Sequence, residues 1–263
     1  MTQTEPSPDL SVFRTAEEVA LTVATEAAAL VRQHSQDGRC TVLGLATGST
    51  PIGVYREWIR LHRAGEMDFS RVLSFNLDEF CDLEPEHPES FRSAMNRELF
   101  DHVNIPREAI HFPASENSDQ SASAVARAYE ETIRAAGGID WQLLGIGRNG
   151  HIGFNEPGSE RQSRTREIEL HPTTRKDAAR AFGSEAAVPK AAITMGVATI
   201  FEAHRLRVMA LGKSKAETIL ALFEPGPGEE LPARYLLGHC DIRVLIDEQA
   251  AGALAHGDRE EAN

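Results

Sequence analysis

Short apolar runs alternate along this chain with stretches of helical periodicity, and this alternation constrains the fold more than any other feature. Each run has about the length of a buried strand and lies between glycine-rich or polar segments. The predicted strands are residues 40–46, 72–76, 141–146, 206–211 and 242–246. The predicted helices are residues 15–37, 51–64, 89–103, 121–136 and 213–223. Such alternation predicts an α/β fold, a Rossmann-like and mostly parallel sheet with helices on both faces.

A single domain accounts for the length and composition of the chain. Its 263 residues, 41% of them apolar, suffice for one sizeable core. We expect flexible tails at residues 1–14 and 257–263, and one α/β domain at residues 15–256. Residues 224–232 are rich in Pro, Gly and Glu, which favours a surface loop.

Charge and cysteine content limit the partners that we expect. The formal net charge of −13 disfavours nucleic acid and anionic membranes, because both would be repelled. The three cysteines lie far apart and predict neither disulfides nor zinc, which is typical of a reduced cytoplasmic protein. No signal peptide or membrane span is predicted. The histidines form no metal-ligand pattern, so we expect no metal.

Four of the predicted strands end in segments of unusual polar or glycine content. Ligands bind at the carboxyl edge of a parallel sheet, so we expect these segments to lie together on one rim. They are residues 47–50, 78–79, 145–156 and 213–215. The first segment, Thr47-Gly48-Ser49-Thr50, offers N–H groups and hydroxyls before a helix, which favours a bound phosphate. A simple helix cap by Thr50 explains the same segment equally well.

The segment Gly145-Ile-Gly-Arg-Asn-Gly150 matches the glycine pattern of a dinucleotide-binding turn. That pattern requires a regular helix after its third glycine. Here Gly153, Pro157 and Gly158 follow instead, and they disfavour a long helix. We therefore interpret the segment as a glycine-dense loop and not as a nicotinamide site.

Groups suited to proton transfer fall within these strand-end segments. His151 follows the glycine-dense loop, Glu156 lies beyond it, and Asp78 and Glu79 follow the strand at 72–76. Each has a simpler explanation by itself, because a loop histidine is usually a surface residue and an acid often caps a helix or a turn. Together, an imidazole and carboxylates at one sheet edge supply the acid–base groups that an isomerisation needs.

The same segments resemble the glucosamine-6-phosphate deaminase family. The main matches are Leu43-Gly-Leu-Ala-Thr-Gly-Ser-Thr-Pro51, Ser74-Phe-Asn-Leu-Asp-Glu-Phe80, His87-Pro-Glu-Ser90 and Gly145-Ile-Gly-Arg-Asn-Gly-His-Ile-Gly-Phe-Asn-Glu-Pro157. Further matches are residues 163–165, 188–190 and 194–196. The resemblance runs in order over residues 15–247, so it is far more specific than any single glycine pattern.

This resemblance implies conversion of glucosamine 6-phosphate to fructose 6-phosphate and ammonia, without a cofactor. His151 would move the proton that opens the sugar ring, and Asp78 would transfer a proton between the first two carbons. Glu156 would orient the imidazole of His151, while Glu79 would be secondary to Asp78.

The resemblance also implies a phosphate site and a lid. Thr47, Gly48, Ser49 and Thr50 would hold the phosphate, with positive charge from Arg180 and Lys215. Arg180 falls in a segment, residues 166–195, that resembles the mobile lid of the family. Closure of such a lid would exclude water and bring Arg180 to the phosphate.

Two departures from the family pattern stand out. Asn149 occupies a position where many relatives carry an Asp beside the catalytic histidine. Some relatives also bind an acetylated amino-sugar phosphate at an effector site, where Ser159 and Arg166 match but Ile168 and Glu169 do not. We therefore expect a less stabilised imidazolium at His151 and little activation by such an effector.

Three other functions remain open at this point. One is a sugar-phosphate lactonase of the same fold, which would use water in place of carbon-bound proton transfer. Another is deamination of the galacto epimer, and the third is a sugar-phosphate-binding regulator without catalysis. The acid–base set favours the deaminase over the lactonase and the regulator, and a homo-oligomer is expected.

Overall fold

The computed structural model describes residues 9–84, 86–114, 120–170 and 172–254. Its strands are β1 (Asp9–Phe13), β2 (Thr41–Leu45), β3 (Val72–Asn76), β4 (Asp78–Phe80), β5 (Ile110–His111), β6 (Trp141–Gly145), β7 (Arg166–Glu169), β8 (Ala191–Thr194), β9 (Leu206–Ala210) and β10 (Ile242–Asp247). Its α-helices are α1 (Ala16–Gln36), α2 (Ile52–Arg63), α3 (Phe91–Glu98), α4 (Ala122–Ala135), α5 (Pro172–Phe182), α6 (Val197–Phe201) and α7 (Ala216–Phe223).

Seven strands form one parallel sheet in the order β1-β10-β9-β6-β2-β3-β5. The chain builds outward from β2 through β3 to β5 in one direction, and from β6 through β9 to β10 in the other. The direction of winding therefore changes between β2 and β6, which is where parallel sheets of this kind bind ligands. The predicted α/β fold is confirmed, and the four predicted strand-end segments follow four adjacent strands.

Helices cover both faces of this sheet, as the sequence predicts. On one face, α1, α2 and α3 bury side chains such as Val23, Trp58 and Met95 against β2 and β3. On the other face, α4 and α7 bury Tyr129 and Ile219 in a second cluster. Because both faces are covered, the central strands consist almost entirely of buried residues.

Helix α1 begins where its sequence provides a cap. The Thr15 side chain accepts a hydrogen bond from the Glu18 backbone at 3.2 Å, and the Glu18 carboxylate accepts one from the Arg14 backbone at 3.0 Å. Both bonds satisfy N–H groups near the start of a helix. Further along, α1 packs tightly on α2, since a Cβ at Gly53 would lie 2.8 Å from that of Ala20. Gly53→Ala is therefore unfavourable unless the helices separate.

A second, smaller sheet stands beside the main one and was not predicted. It is antiparallel, with the order β4-β8-β7. Strand β4 follows β3 after a single residue, Leu77, so the chain passes directly from one sheet to the other. Asp78 and Glu79, which the sequence predicts only as the segment that follows the strand at 72–76, themselves lie in a strand, β4.

Several predicted boundaries need correction. The tail at residues 1–14 is wrong for residues 9–13, which form β1 and pair with β10 at the edge of the main sheet. The helices predicted at 89–103 and 213–223 each contain a 3₁₀ turn, at Phe100–His102 and Lys213–Lys215. Residues 224–231 form a loop as expected.

The C-terminal residues complete the comparison of predicted and observed boundaries. The predicted tail at 257–263 lies outside the described residues, as does the predicted domain end at 256. Within the described part of the chain, no helix has the length and apolar character needed to cross a bilayer.

Candidate active site

His151 lies in the loop that follows β6, at the point where the winding of the sheet reverses. The backbone N–H of Gly147 donates to the His151 carbonyl at 2.9 Å, so the loop folds back on itself. Any side chain at position 147 would collide with the imidazole ring. The glycine at 147 is therefore required by the close approach of His151 and not by a nucleotide.

Asn149 bridges the imidazole of His151 and the carboxylate of Glu156. Asn149 Oδ1 lies 2.7 Å from His151 Nδ1, and Asn149 Nδ2 donates to Glu156 Oε2 at 2.5 Å. The carboxylate also lies 3.5 Å from His151 Nδ1. We call these three side chains the relay. The predicted proximity of His151 and Glu156 is thus present, with Asn149 hydrogen-bonded to both.

The carboxylate of Glu156 fixes the direction of every hydrogen bond in the relay. An ionised carboxylate accepts only, so the amide must present its NH₂ group to Glu156 and its oxygen to His151. His151 Nδ1 must then carry a proton, which leaves Nε2 free to accept one. Burial opposes ionisation of Glu156, but His151, Asn149 and Thr174 outweigh it and lower the pKa of Glu156 to about 2. Glu156 therefore stays charged at neutral pH.

Asp78 is buried beside the same loop. Its side chain is one of the few charged groups in the interior, at 6% exposure. A Cβ at Gly153 would lie 3.2 Å from Asp78 Oδ2, so the backbone of the His151 loop passes directly against this carboxyl group. Burial, followed by the charge of Glu79, raises the pKa of Asp78 to about 8. The carboxyl group is thus set up to exchange a proton near neutral pH.

Glu79 has a different role from its neighbour. Successive side chains of a strand point to opposite faces, so Glu79 is directed away from the loop that contacts Asp78. Its carboxylate accepts hydrogen bonds from the backbone N–H groups of Phe80, Phe91 and Arg92 at 2.8–2.9 Å. Two of these groups belong to the first turn of α3, so Glu79 caps that helix. This placement agrees with the expectation that Glu79 is less important than Asp78 for the chemistry.

The predicted phosphate loop, residues 47–50, lies next to the end of β6. A Cβ at Gly145 would lie 3.8 Å from Thr50 Oγ1. Lys215 approaches from the neighbouring strand end, and burial together with the charge of Arg148 lowers the pKa of Lys215. Thr218 Oγ1 donates to the Arg148 carbonyl at 2.6 Å and thereby ties α7 to the His151 loop. The structure therefore brings Thr47, Gly48, Ser49, Thr50 and Lys215 to the rim that carries His151.

Arg180 is placed differently. It lies on α5, and its side chain is exposed. Among the described residues it makes no hydrogen bond and no ion pair. The structure thus leaves the predicted contribution of Arg180 to the phosphate site as a prediction.

Three site residues were not singled out from the sequence. Asn155 is fully buried and donates to the carbonyls of Ile152 and Met195 at 2.9 and 2.8 Å, which fixes the His151 loop to the end of β8. Thr194 Oγ1 accepts from the Phe154 backbone at 3.2 Å. Thr174 donates to Glu156 Oε1 at 3.2 Å. Asn155 and Thr194 fall in the motifs at 145–157 and 194–196, so those motifs were the available signal.

The residues that match the family's effector site contact each other. Arg166 donates to Asn155 Oδ1 at 2.9 Å and to Ser159 Oγ at 3.3 Å. Burial lowers the pKa of Arg166.

No group of three or more His, Cys, Asp or Glu side chains among the described residues is arranged to hold a metal ion.

Comparison with known proteins identifies the family. The family described as glucosamine-6-phosphate isomerases/6-phosphogluconolactonase matches residues 14–244. Glucosamine-6-phosphate deaminase 2 of Bacillus subtilis (strain 168) is 44% identical over 229 residues, covering 86% of this chain and 91% of that protein. Glucosamine-6-phosphate deaminase of Hahella chejuensis is 45% identical over 219 residues, covering 83% of each protein.

Solved structures agree with this assignment. A monomeric glucosamine-6-phosphate deaminase superposes with a TM-score of 0.87 and 40% identity, covering 93% of this chain and 99% of the other. The 6-phosphogluconolactonase from Trypanosoma cruzi shares the fold, with a TM-score of 0.74 at 20% identity, covering 97% of this chain and 99% of the other. The chain belongs to the glucosamine-6-phosphate isomerase/6-phosphogluconolactonase family.

Proposed function

We propose that this protein is a glucosamine-6-phosphate deaminase, which converts glucosamine 6-phosphate and water to fructose 6-phosphate and ammonia in amino-sugar catabolism. The observation that carries the proposal is the juxtaposition of a buried carboxyl group, Asp78, with the loop that bears His151. A lactonase needs no group that moves a proton between carbons, whereas a deaminase does. The relatives named above as deaminases support the same choice.

His151 opens the sugar ring in this mechanism. Its Nε2 atom is the free acceptor, so it takes the proton of the anomeric hydroxyl and returns one to the ring oxygen. Asn149 holds the opposite ring nitrogen in its protonated form, and Glu156 holds Asn149. Both residues position the imidazole, and neither needs to exchange a proton itself.

Asp78 then carries the isomerisation. As a carboxylate it removes the proton from the second carbon of the open-chain sugar, and as a carboxylic acid it delivers a proton to the first carbon. A pKa of about 8 suits both steps, because the two protonation states are close in free energy near neutral pH. Water then replaces the nitrogen, and ammonia leaves.

The phosphate group is held at the strand-end rim. Thr47, Gly48, Ser49 and Thr50 supply hydrogen-bond donors before α2, and Lys215 supplies positive charge. Arg180 adds a second cation when the lid segment, residues 166–195, closes. Because β7 and β8 are paired within the second sheet, we confine the moving part to the residues between these strands.

The direct test is ammonia release from a panel of phosphorylated sugars. We expect glucosamine 6-phosphate to be the best substrate and galactosamine 6-phosphate to be at least about tenfold poorer, the discrimination that one misplaced hydroxyl can supply. Hydrolysis of 6-phosphogluconolactone serves as the control for the lactonase alternative. Lactone hydrolysis without ammonia release would overturn the proposal, and binding without turnover would indicate a regulator.

Restoring the carboxylate at position 149 should change the pH dependence. An amide contributes no charge, so the charged imidazole of His151 is less stabilised here than beside two carboxylates. We expect Asn149→Asp to move the activity optimum to higher pH than that of the wild type. Rate profiles of the two proteins from pH 5 to 9 provide the measurement, and coinciding profiles would contradict the role given to Asn149.

Effector activation should be weak in this protein. Arg166 and Ser159 already contact each other, and Ile168, on the same face of β7, is apolar where the family's effector site is basic. A phosphorylated effector would therefore lose an attractive charge, and Glu169 on the opposite face of β7 would add a weaker repulsion. We expect N-acetylglucosamine 6-phosphate to change the substrate concentration at half-maximal rate by less than about twofold, a coupling below the usual allosteric range. Sigmoidal kinetics that become hyperbolic on its addition would show the opposite.

Assembly and location complete the proposal. We expect a cytoplasmic protein that forms a homo-oligomer, and light scattering on the purified protein tests the second point. The related deaminase of known structure is described as monomeric, so a mass of 28.8 kDa in solution is the competing outcome.

A further inference from the structure

Among the residues that the structure describes, one hydrogen bond reaches the relay from outside its own loop. Glu156 has two carboxylate oxygens, and Oε2 is occupied by Asn149. The other oxygen, Oε1, accepts the hydroxyl proton of Thr174 at 3.2 Å. Thr174 lies in the first turn of α5, which belongs to the predicted lid segment and not to the His151 loop.

Helix α5 also contacts the site region at its far end. Phe182, its last residue, packs edge-on against Phe80 with ring centroids 5.5 Å apart. Phe80 lies in β4, two positions after Asp78, and also contacts Phe154 of the His151 loop at 5.9 Å. The helix therefore meets the catalytic segments at both ends, but only Thr174 makes a polar contact with the relay among the described residues.

The same helix carries Arg180, the cation predicted to bind the substrate phosphate. Thr174 and Arg180 are six residues apart, or about 9 Å along a helix axis. A rigid helix of this length transmits a small displacement from one end to the other. If Arg180 draws α5 toward a bound phosphate, the helix therefore also shifts the Thr174 hydroxyl relative to Glu156.

We propose that Thr174 is a positioning residue that couples closure of α5 to the orientation of Glu156, and through Asn149 to His151. The inference rests on the proposed deaminase function. When α5 is closed over the site, the Thr174 hydroxyl donates to Oε1 of Glu156, and Oε2 of the same carboxylate is oriented to accept from the Asn149 amide. When α5 moves away, Glu156 loses this donor and the relay is less well ordered. Binding of the phosphate thus prepares the imidazole for ring opening.

The test compares Thr174→Val, Thr174→Ser and wild type for ammonia release from glucosamine 6-phosphate. Val keeps the shape but removes the donor, so we expect kcat to fall roughly tenfold, the usual effect of losing a hydrogen bond to a charged group. We expect KM to change by less than about twofold, because Thr174 does not touch the substrate. Ser keeps the donor and should restore kcat to within about twofold of wild type.

A double variant separates positioning from a general structural effect. In a Glu156→Gln background, whose own kcat is reduced, adding Thr174→Val should cause no further loss, because the hydroxyl then has no charged partner to hold. Thr132→Val is the matched control, since its exposed hydroxyl donates to the Ala128 carbonyl of its own helix and to no other described residue. Thermal midpoints monitor folding, and Thr174→Ala replaces Val should the Val variant fail to fold.

Unchanged kcat in Thr174→Val would overturn the inference, as would a loss that adds in full to that of Glu156→Gln. Failure of Ser to restore kcat would do the same. Absence of ammonia release from the wild-type protein would contradict the proposed function instead, so the two failures are distinguishable.

Discussion

Replacing Asp78 by Asn should lower kcat by about 10³-fold or more, because the amide cannot move a proton between carbons. Asn has nearly the size of Asp, so a loss of activity in a variant that still folds is attributable to the loss of proton transfer. Ammonia release gives the rate, and the incorporation of solvent deuterium at the first carbon of the product reports the transfer itself. Asp101→Asn, at an exposed position, serves as the control. A loss below about tenfold would remove Asp78 from the mechanism.

The same substitution should stabilise the folded protein at alkaline pH. The pKa of the Asp78 carboxyl group is about 8 in the folded protein against an ordinary value of 3.8. Because the folded pKa is raised, the contribution of this group to stability is fully present below pH 3.8 and is lost as the pH rises through about 8. Asp78→Asn should therefore raise the free energy of unfolding by on the order of 5 kcal/mol at pH 8 and by on the order of 2 kcal/mol at pH 5. Denaturant titrations at pH 5 and pH 8 measure the difference, and equal gains at both would contradict the assignment.

Replacing His151 by Gln should lower kcat by about 10²- to 10³-fold, a smaller loss than at Asp78. Gln retains a polar group near the imidazole position but cannot accept and return a proton. Sugar rings also open slowly without help, so residual turnover limited by spontaneous opening should remain. Steady-state ammonia release is the measurement, and His204→Gln is the control because His204 is 65% exposed and distant in sequence.

The order of the two losses matters more than their sizes. If His151→Gln retained activity within about fivefold of wild type, ring opening would not depend on the imidazole. A greater loss at His151 than at Asp78 would indicate that the histidine takes part in the carbon-bound proton transfer as well.

The sequence predicts the main sheet well because its strands are buried on both faces and its helices carry clear caps and periodicity. Strand β1 was missed because Asp9–Phe13 is half exposed and becomes a strand only through its pairing with β10. The second sheet was missed for a related reason. Strand β4 has three residues, and β7 is mostly polar and partly exposed, so neither shows the pattern of a buried strand.

Within the site, the main acid–base residues and the proximity of Glu156 to His151 were predictable, but most of the hydrogen-bond partners were not. Sequence places Asp78 beside Glu79 without deciding which carboxyl group faces the loop, and only the alternation of side chains along β4 separates them. The orientation of Asn149 likewise depends on Glu156 being near, which requires the loop to fold back through Gly147. Thr174 lies far from the relay in sequence and in a segment without a distinctive pattern, so nothing in the chain indicated its contact with Glu156.

The chain passes from the main sheet to the second sheet through a single residue, Leu77, between β3 and β4. The loop proposed to bind the phosphate, residues 47–50, follows β2 of the main sheet, whereas Arg166, Ile168 and Glu169 lie on β7 of the second sheet. The two sheets are bonded to each other close to the site, since the Met195 backbone donates to the Leu77 carbonyl at 2.7 Å and Asn155 of the His151 loop donates to the Met195 carbonyl at 2.8 Å. A substitution at Arg166 of β7 would also remove its bond to Asn155, whereas Ile168 and Glu169 make no such bond to the His151 loop among the described residues. Ile168 and Glu169 are therefore the positions of β7 at which a phosphate-binding cation could be introduced to engineer an effector response, with the contact between Arg166 and Asn155 left in place.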